Sequence, residues 1–457
     1  MQDLTTGSIT RHLLKTASFM LVTMIFQTLY FLVDLYWVGR LGKEAVAAVG
    51  IAGNLTFIVL AISQMLGVGT TTLVSHATGR KDQARALLVF NQSQSLSVLV
   101  GVVFLAVSLL LRDTYTSALG ADAQTARQAG EYLTWFIPAM ALQFAMVAMG
   151  AALRGTGNFK PGTIVATATV ILNMVLAPFL IFGWVTGVPL GVAGAAISSL
   201  VAVAVGVVWL ATYFIKPSSY LHFIPSQWVP QFPLWSQMLK IGLPAGAEFA
   251  LMAVYMVVVY SISRPFGAAA QAGFGIGLRV VQAGFMPVVA LGFSVAPVAG
   301  QNFGARLPDR VKKTYVIAVS MAAGVMAVWA VACHFGASAM VRFFSGDPQV
   351  VAVGSEYLAI IAWTFVGSGL VFVSSSMFQA LGNTLPSLAA SFLRMLLTTV
   401  PAIFLARMAG FELRWIWYLS AGTIAFQVLF VLLLLKREFR LRLGPGVMAG
   451  AVAAARP

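Results

Sequence analysis

The sequence predicts an all-α integral membrane protein, with twelve transmembrane helices arranged as two pseudo-symmetric six-helix lobes. Three observations predict it. Of 457 residues, 60% are hydrophobic and only 9% charged, against roughly half apolar and a quarter charged in an ordinary soluble domain. Apolar runs long enough to cross a hydrocarbon layer of roughly 30 Å recur along the whole chain. The second half also repeats the first in one fixed register.

The first six runs fall at about 13–38, 45–76, 88–111, 132–153, 160–183 and 190–215. Six more follow at about 238–262, 268–302, 314–341, 356–380, 386–408 and 413–436. Residues 1–215 are therefore read as an N-terminal lobe and 238–436 as a C-terminal lobe. Between them, 216–237 carries Pro217, Pro225, Pro230 and Pro233 and reads as an extended interfacial linker, and 437–457 reads as a basic tail. The polar N-terminus precedes an apolar run without a small-residue cleavage site, so that run reads as a retained helix rather than a signal peptide.

Basic residues accumulate on the cytoplasmic side of membrane proteins. With the N-terminus inside, 18 Lys and Arg fall in cytoplasmic segments and 8 in external ones, leaving Arg279 and Arg394 within helices. Both termini are thus expected in the cytoplasm. The net charge of +15 becomes a matter of topology, and no nucleic-acid partner is expected. Cys333 is the only cysteine, so there is no internal disulfide, and the four histidines lack metal-ligand spacing. There is no HExxH, P-loop lysine motif or nucleophile elbow, so neither an enzyme, a cofactor nor ATP-driven transport is expected.

A shift of 225 residues aligns the halves without gaps. Leu14 and Lys15 fall on Leu239 and Lys240; Gly67, Gly79 and Arg85 fall on Gly292, Gly304 and Arg310. Asp122, Glu131 and Tyr132 meet Asp347, Glu356 and Tyr357, while Gly157, Asn158 and Pro161 meet Gly382, Asn383 and Pro386. Halves with an even number of passes insert the same way up, so the pseudo-axis runs along the membrane normal, an arrangement suited to rocking alternating access.

A carboxylate inside hydrocarbon costs roughly 3 kcal/mol or more, which makes it a functional candidate by default. Asp34 is the clearest. Gln27 and Tyr30 precede it by seven and four positions and share its helical face. Such an acid can hold a proton or a sodium ion and release it on a conformational change; the plainer reading is a structural acid paired with a donor. Asn173 in the fifth run suits a cation ligand or a hydrogen bond to Asp34, or simple interhelical glue. Glu248 lies near mid-membrane in the seventh run with Met252 and Tyr255 on its face. It reads either as a coupling or substrate residue or as half of a static ion pair with Arg394 or Arg279. Aromatic and methionine side chains such as Phe26, Met252, Tyr255 and Phe285 suit flat organic cations, with ordinary packing as the alternative.

These residues resemble the multidrug and toxic compound extrusion (MATE) family. The run QTLYFLVDLYWVGRLGKEAVAAVGIA from Gln27 to Ala52 is similar to the family's first-helix pattern. So is the eighth segment, Gly273 to Ala305, with Arg279, Pro287 and a GQN-x-GA ending. RGTGNFKP from Arg154 to Pro161 and ALGNTLP from Ala380 to Pro386 also fit, and the resemblance covers nearly the whole chain. It implies the MATE fold and a cation-driven exporter of cationic or aromatic compounds. By the same resemblance Asp34 matches the N-lobe coupling aspartate, and Asn173 the asparagine of a fifth-helix N-x-x-x-D pattern whose acid is here Ala177. Glu248 is similar to the helix-seven glutamate of the NorM-like branch but stands about one turn earlier, and Val281 replaces a glutamate found in many members.

Protons are the favoured coupling ion, since a lone acid carries a proton without a ligand cage; a sodium ion at Asp34 and Asn173 is the alternative. The expected protein is a monomeric antiporter of a bacterial inner membrane, with small organic substrates and membrane lipid as partners. The competing reading is a flippase of related fold for a lipid-linked or peptide-like metabolite. Its sign is a cationic cleft, for which only Arg279 and Arg394 are available inside the membrane. The charged groups break the repeat: Asp34, Glu248 and Arg394 have Val259, Thr23 and Thr169 as counterparts.

Overall fold

Apolar runs with little β-branched alternation fold here as long helices. The computed structural model describes residues 1–120, 122–184 and 187–444, and every regular element among them is helical. The first half holds α1 (Ile9–Gly39), α2 (Lys43–Gly79), α3 (Gln83–Leu119), α4 (Ala123–Gly155), α5 (Phe159–Phe182) and α6 (Gly191–Thr212). The second holds α7 (Phe232–Ser263), α8 (Gly267–Gly304), α9 (Pro308–Arg342), α10 (Pro348–Ile361), α11 (Phe365–Leu381), α12 (Leu385–Leu405) and α13 (Leu413–Leu443).

Eleven continuous helical stretches among the described residues are long and apolar enough to cross a membrane. One of them, Phe232–Gly304, has 73 residues and joins α7 to α8 through a 3-10 turn at Arg264–Phe266. At about 1.5 Å per residue it exceeds two hydrocarbon thicknesses, so it counts as two passes. Helices α10 and α11 form a single pass, interrupted by the 3-10 turn Ala362–Thr364. The total is the twelve passes the sequence predicts. The basic stretch after residue 436 begins as helix, since α13 carries Arg437, Arg440 and Arg442 before ending at Leu443; the rest of that tail, 445–457, lies outside the described residues.

The chain divides into two compact units, and the division falls inside α1 and α7 rather than in the 216–237 segment. One unit is Met1–Asp3 with Ser18–Gly246; the other is Leu4–Ala17 with everything from Ala247 onward.

In the first unit, α4 is the central helix, packed by α2, α3 and α6, with α5 against α6. Its apolar core includes Phe90, Leu133, Ile137, Phe144, Ile181 and Phe214. The first half of α7 lies against α2 through Gly242 and Gly246, the small-x-x-x-small spacing that lets helix backbones approach. A Cβ on Gly242 would stand 2.0 Å from the Met65 carbonyl oxygen, and one on Gly246 would stand 2.6 Å from that of Ala61. The proline-rich segment folds back onto α3 and contains the 3-10 turn Pro225–Trp228. Asn91 Nδ2 donates to the His222 carbonyl at 3.1 Å, and Gln92 Nε2 donates to the Val229 carbonyl at 2.7 Å, while Gln92 Oε1 accepts from Gln231 N at 2.9 Å.

In the second unit, α8 packs against α9, α10 and α11, and α12 against α13. Phe274, Tyr357 and Trp417 form an aromatic centre, with Phe274 stacked on Trp417 at 5.3 Å. The N-terminal segment is pinned here by the GQN ending of α8: Gln301 Oε1 accepts from Leu4 N at 3.0 Å, and Asn302 Nδ2 donates to the Leu4 carbonyl at 3.2 Å.

The repeat survives in backbone detail where side chains differ. Lys81 and Arg306, the non-glycine residues with positive φ, at 60° and 59°, occupy equivalent turns after α2 and α8. In those turns Asp82 N donates to the Ala77 carbonyl and Leu307 N to the Asn302 carbonyl, both at 3.0 Å. Gly157 and Gly382, with φ of 76° and 75°, end α4 and α11 in the same left-handed turn, a conformation glycine adopts without a Cβ penalty. Asp122 and Asp347 cap α4 and α10, and the Thr125 N–H on its carboxylate holds Asp122 below the ordinary carboxylate range.

Candidate functional site

The first unit gathers its polar groups on α1, α4, α5 and α6. Helix α1 has little buried surface, yet Asp34 is only 9% exposed while Leu35 and Tyr36 beside it are 42% and 54% exposed. Its Oδ1 is buried with no hydrogen-bond partner among the described residues. One turn earlier, the Tyr30 hydroxyl meets Ser199 Oγ of α6 at 3.1 Å. Asn173 Nδ2 of α5 donates to the same Ser199 Oγ at 3.0 Å and to Ser198 Oγ at 3.3 Å. Tyr132 of α4 lies within electrostatic range of both Asp34 and Tyr30. Tyr30, Ser199 and Asn173 thus form one hydrogen-bonded chain beside Asp34. Of the two readings of Asn173, a bond to Asp34 or interhelical glue, the amide makes contacts of the second kind, since the serines of α6 take it. Gln27 stays exposed and takes no part.

An acid left unsatisfied in this way is costly when ionised. A proton or a small cation removes that cost. Among the described residues no group of three His, Cys, Asp or Glu lies close enough to hold a metal ion.

In the second unit Glu248 finds hydroxyls instead of an arginine. Ser375 Oγ of α11 donates to Oε2 at 3.0 Å, Ser387 Oγ of α12 bonds Oε1, and Ser391 Oγ donates to Oε1 at 3.4 Å. Ser387 and Ser375 are themselves 2.8 Å apart. The carboxyl and these two serines close a ring of three O···O contacts. Two hydroxyls supply only two hydrogens. A proton on Glu248 supplies the third, so the ring is fully bonded in the acid form.

The static ion pair with Arg394 or Arg279, the alternative reading for Glu248, does not form: no salt bridge seen among the described residues involves any of the three. The serines of α11 and α12 reach the carboxyl first. Arg394 instead lies over the ring of Tyr255, 5.8 Å from its centroid, with Nε buried and unpartnered. Tyr255 donates to or accepts from Ser420 Oγ of α13 at 3.3 Å, and Tyr357 lies within electrostatic range of Tyr255 and Arg394. Arg279 and Met252 are exposed and outside both clusters.

Tyr255 and Tyr357 are the repeat counterparts of Tyr30 and Tyr132. Each half therefore holds the same tyrosine pair, completed by a carboxylate in one half and a guanidinium in the other. Sequence reasoning missed Ser198, Ser199, Ser375, Ser387 and Ser391. Their signal is faint, consisting of paired or grouped serines inside apolar helices, where a hydroxyl also satisfies its own helix carbonyl.

Comparison with known proteins agrees with this architecture. The MatE family model matches residues 20–179 and again 244–405, one match per half. The multidrug export protein MepA of Staphylococcus haemolyticus is 26% identical over 368 residues, covering 80% of each chain. The FAD transporter of Shewanella oneidensis is 25% identical over 379 residues, covering 81% of this chain and 82% of that one. A crystal structure of a MATE protein in a bent conformation shares the fold, with a TM-score of 0.90 at 23% identity over 96% of this chain and 97% of that one. With two family matches spaced like its internal repeat, the chain belongs to the MatE family, the multidrug and toxic compound extrusion transporters.

Proposed function

We propose that this multidrug efflux transporter of the MatE family is a secondary antiporter. It exports organic compounds, cationic or aromatic in character, in exchange for protons or sodium ions by alternating access. The observation that carries the coupling assignment is Asp34, a buried carboxylate with an unpartnered oxygen in a membrane-crossing helix. Binding a cation neutralises it, and the neutral and charged forms favour different surroundings, which is what coupling requires. Protons are favoured over sodium. Asn173 spends its amide on serines rather than on Asp34, and the Glu248 ring has room for a third hydrogen. The protein works as a monomer in a bacterial inner membrane, and both its termini lie in the cytoplasm, an orientation supported by the 18 to 8 distribution of basic residues.

The test is transport in proteoliposomes with a panel of dyes under separately imposed proton and sodium gradients. Asp34→Asn is expected to abolish gradient-driven efflux. Intact efflux in that variant sinks the assignment.

A second reading of the cargo rests on Arg394. A guanidinium inside the membrane with no carboxylate partner suits a substrate bearing a carboxylate or phosphate beside an aromatic body. The relative from Shewanella oneidensis is named for FAD, a cargo of that kind, and a lipid-linked or peptide-like metabolite handled by a flippase is another. Counterflow of anionic against cationic aromatic compounds separates the two. Transport confined to cations removes the second reading.

A further inference from the structure

We propose that the groove between α9 and α13, in the second unit, is a binding site for the headgroup of an anionic phospholipid. The groove encloses about 540 Å³. Both helices pack on α11. Three cations line it: Lys312 of α9 with Lys436 and Arg440 of α13. None forms an ion pair among the described residues, and the nearby Glu438 is taken by Arg442 at 2.8 Å. Between the cations the lining is apolar and aromatic, with Leu432, Leu435 and the edge-to-face pair Tyr315 and Phe439 at 5.9 Å. Cations near the end of α13 and the start of α9, with Leu432 about one turn before Lys436, match a phosphate at the membrane interface and acyl chains in the hydrocarbon.

The internal repeat shows that this groove differs from its counterpart by design of sequence. Tyr315 and Phe439 correspond to Phe90 and Phe214, which stack at 4.5 Å in the first unit. There the space is closed by the chain itself, since Phe223 from the linker packs on both rings at 5.4 and 5.7 Å. The positions of Lys312, Lys436 and Arg440 are occupied there by Leu87, Ala211 and Ile215. The second unit replaces three apolar residues with three cations around this groove. The counterpart of the covering linker in sequence is 445–457, which holds no acid and one arginine. Its side chains bring no negative charge to the groove. A phosphodiester does.

Native mass spectrometry of the purified full-length protein, titrated with phosphatidylglycerol, with phosphatidylcholine of the same acyl chains, or with sodium phosphate, tests the site. Phosphatidylglycerol is expected to bind at least about tenfold tighter than phosphatidylcholine, as two or more cations near the surface imply. Combining Lys312→Gln, Lys436→Gln and Arg440→Gln removes about a hundredfold of that affinity. The equal-charge control Arg80→Gln, Lys81→Gln and Lys216→Gln keeps wild-type binding, and so does Lys436→Arg. Equal binding of the two lipids overturns the proposal, as does unchanged binding in the triple groove variant. Inorganic phosphate that competes at the affinity of the lipid reassigns the groove to a soluble anion. Lipid binding that emerges only after truncation behind Gly444 assigns the groove to the chain's own tail.

Discussion

Tyr30 and Tyr255 occupy the same place in the two halves of the repeat, and each places its hydroxyl on a serine of the last helix in its own half, Ser199 at 3.1 Å and Ser420 at 3.3 Å. The frame is shared, while the charge beside it is not. Asp34 adjoins the first tyrosine and Arg394 lies over the second. If the shared frame positions the charge, Tyr30→Phe, which loses the bond to Ser199, should slow coupled transport by about tenfold, the usual scale of one lost hydrogen bond. Dye efflux under an imposed proton gradient reads this, and an unchanged rate rejects the idea.

The Glu248 ring predicts an asymmetry between conservative changes. Gln has an amide able to donate where the acid proton does, so Glu248→Gln should alter stability by less than about 1 kcal/mol. Ser387→Ala leaves a buried carboxyl oxygen short of a donor and should cost about 1–3 kcal/mol. Thermal unfolding in detergent measures both, and equal losses contradict the ring.

Arg394 has no counter-ion among the described residues. Replacing an unpaired charge with an apolar side chain of similar length removes a desolvation penalty, so Arg394→Met should unfold no more easily than wild type. A loss of about 3 kcal/mol or more shows instead that the guanidinium is held by a structural partner. Anionic substrates, where carried, should lose affinity in the same variant.

The close contact between α2 and α7 sets a fourth expectation. Gly242→Ala forces a Cβ to 2.0 Å from the Met65 carbonyl and should destabilise by about 1–3 kcal/mol, the range for overpacked cores. Gly50 in α2 has nothing within 4 Å of its would-be Cβ, so Gly50→Ala should be neutral or stabilising by up to about 1 kcal/mol. Melting temperatures moving in the same direction contradict the packing described.

Gln92 ties the segment after α6 to α3 from both ends of its amide. Gln92→Leu should raise hydrogen exchange across residues 227–231 more than in α4, because backbone groups there lose their partners. Uniform exchange throughout the first unit argues that the segment is held by its aromatic contacts alone.

The sequence by itself determined the solvent, the number of passes, the register of the repeat and the candidacy of Asp34. Each is a property of one helix read alone or of two segments compared by position: hydropathy over about twenty residues, or an acid where acids are expensive. Partner choice was not legible. Whether Asn173 bonds Asp34 or Ser199, and whether Glu248 meets Arg394 or three serines, depends on how far each helix is rotated and how closely it crosses its neighbours. Those quantities are fixed by side chains such as Gly242 and Ser387, whose effect exists only once two backbones meet. The same holds for the groove between α9 and α13. Its cations read from the sequence as ordinary cytoplasmic charge, and only the packing of both helices on α11 brings Lys312 to the same cavity as Lys436 and Arg440.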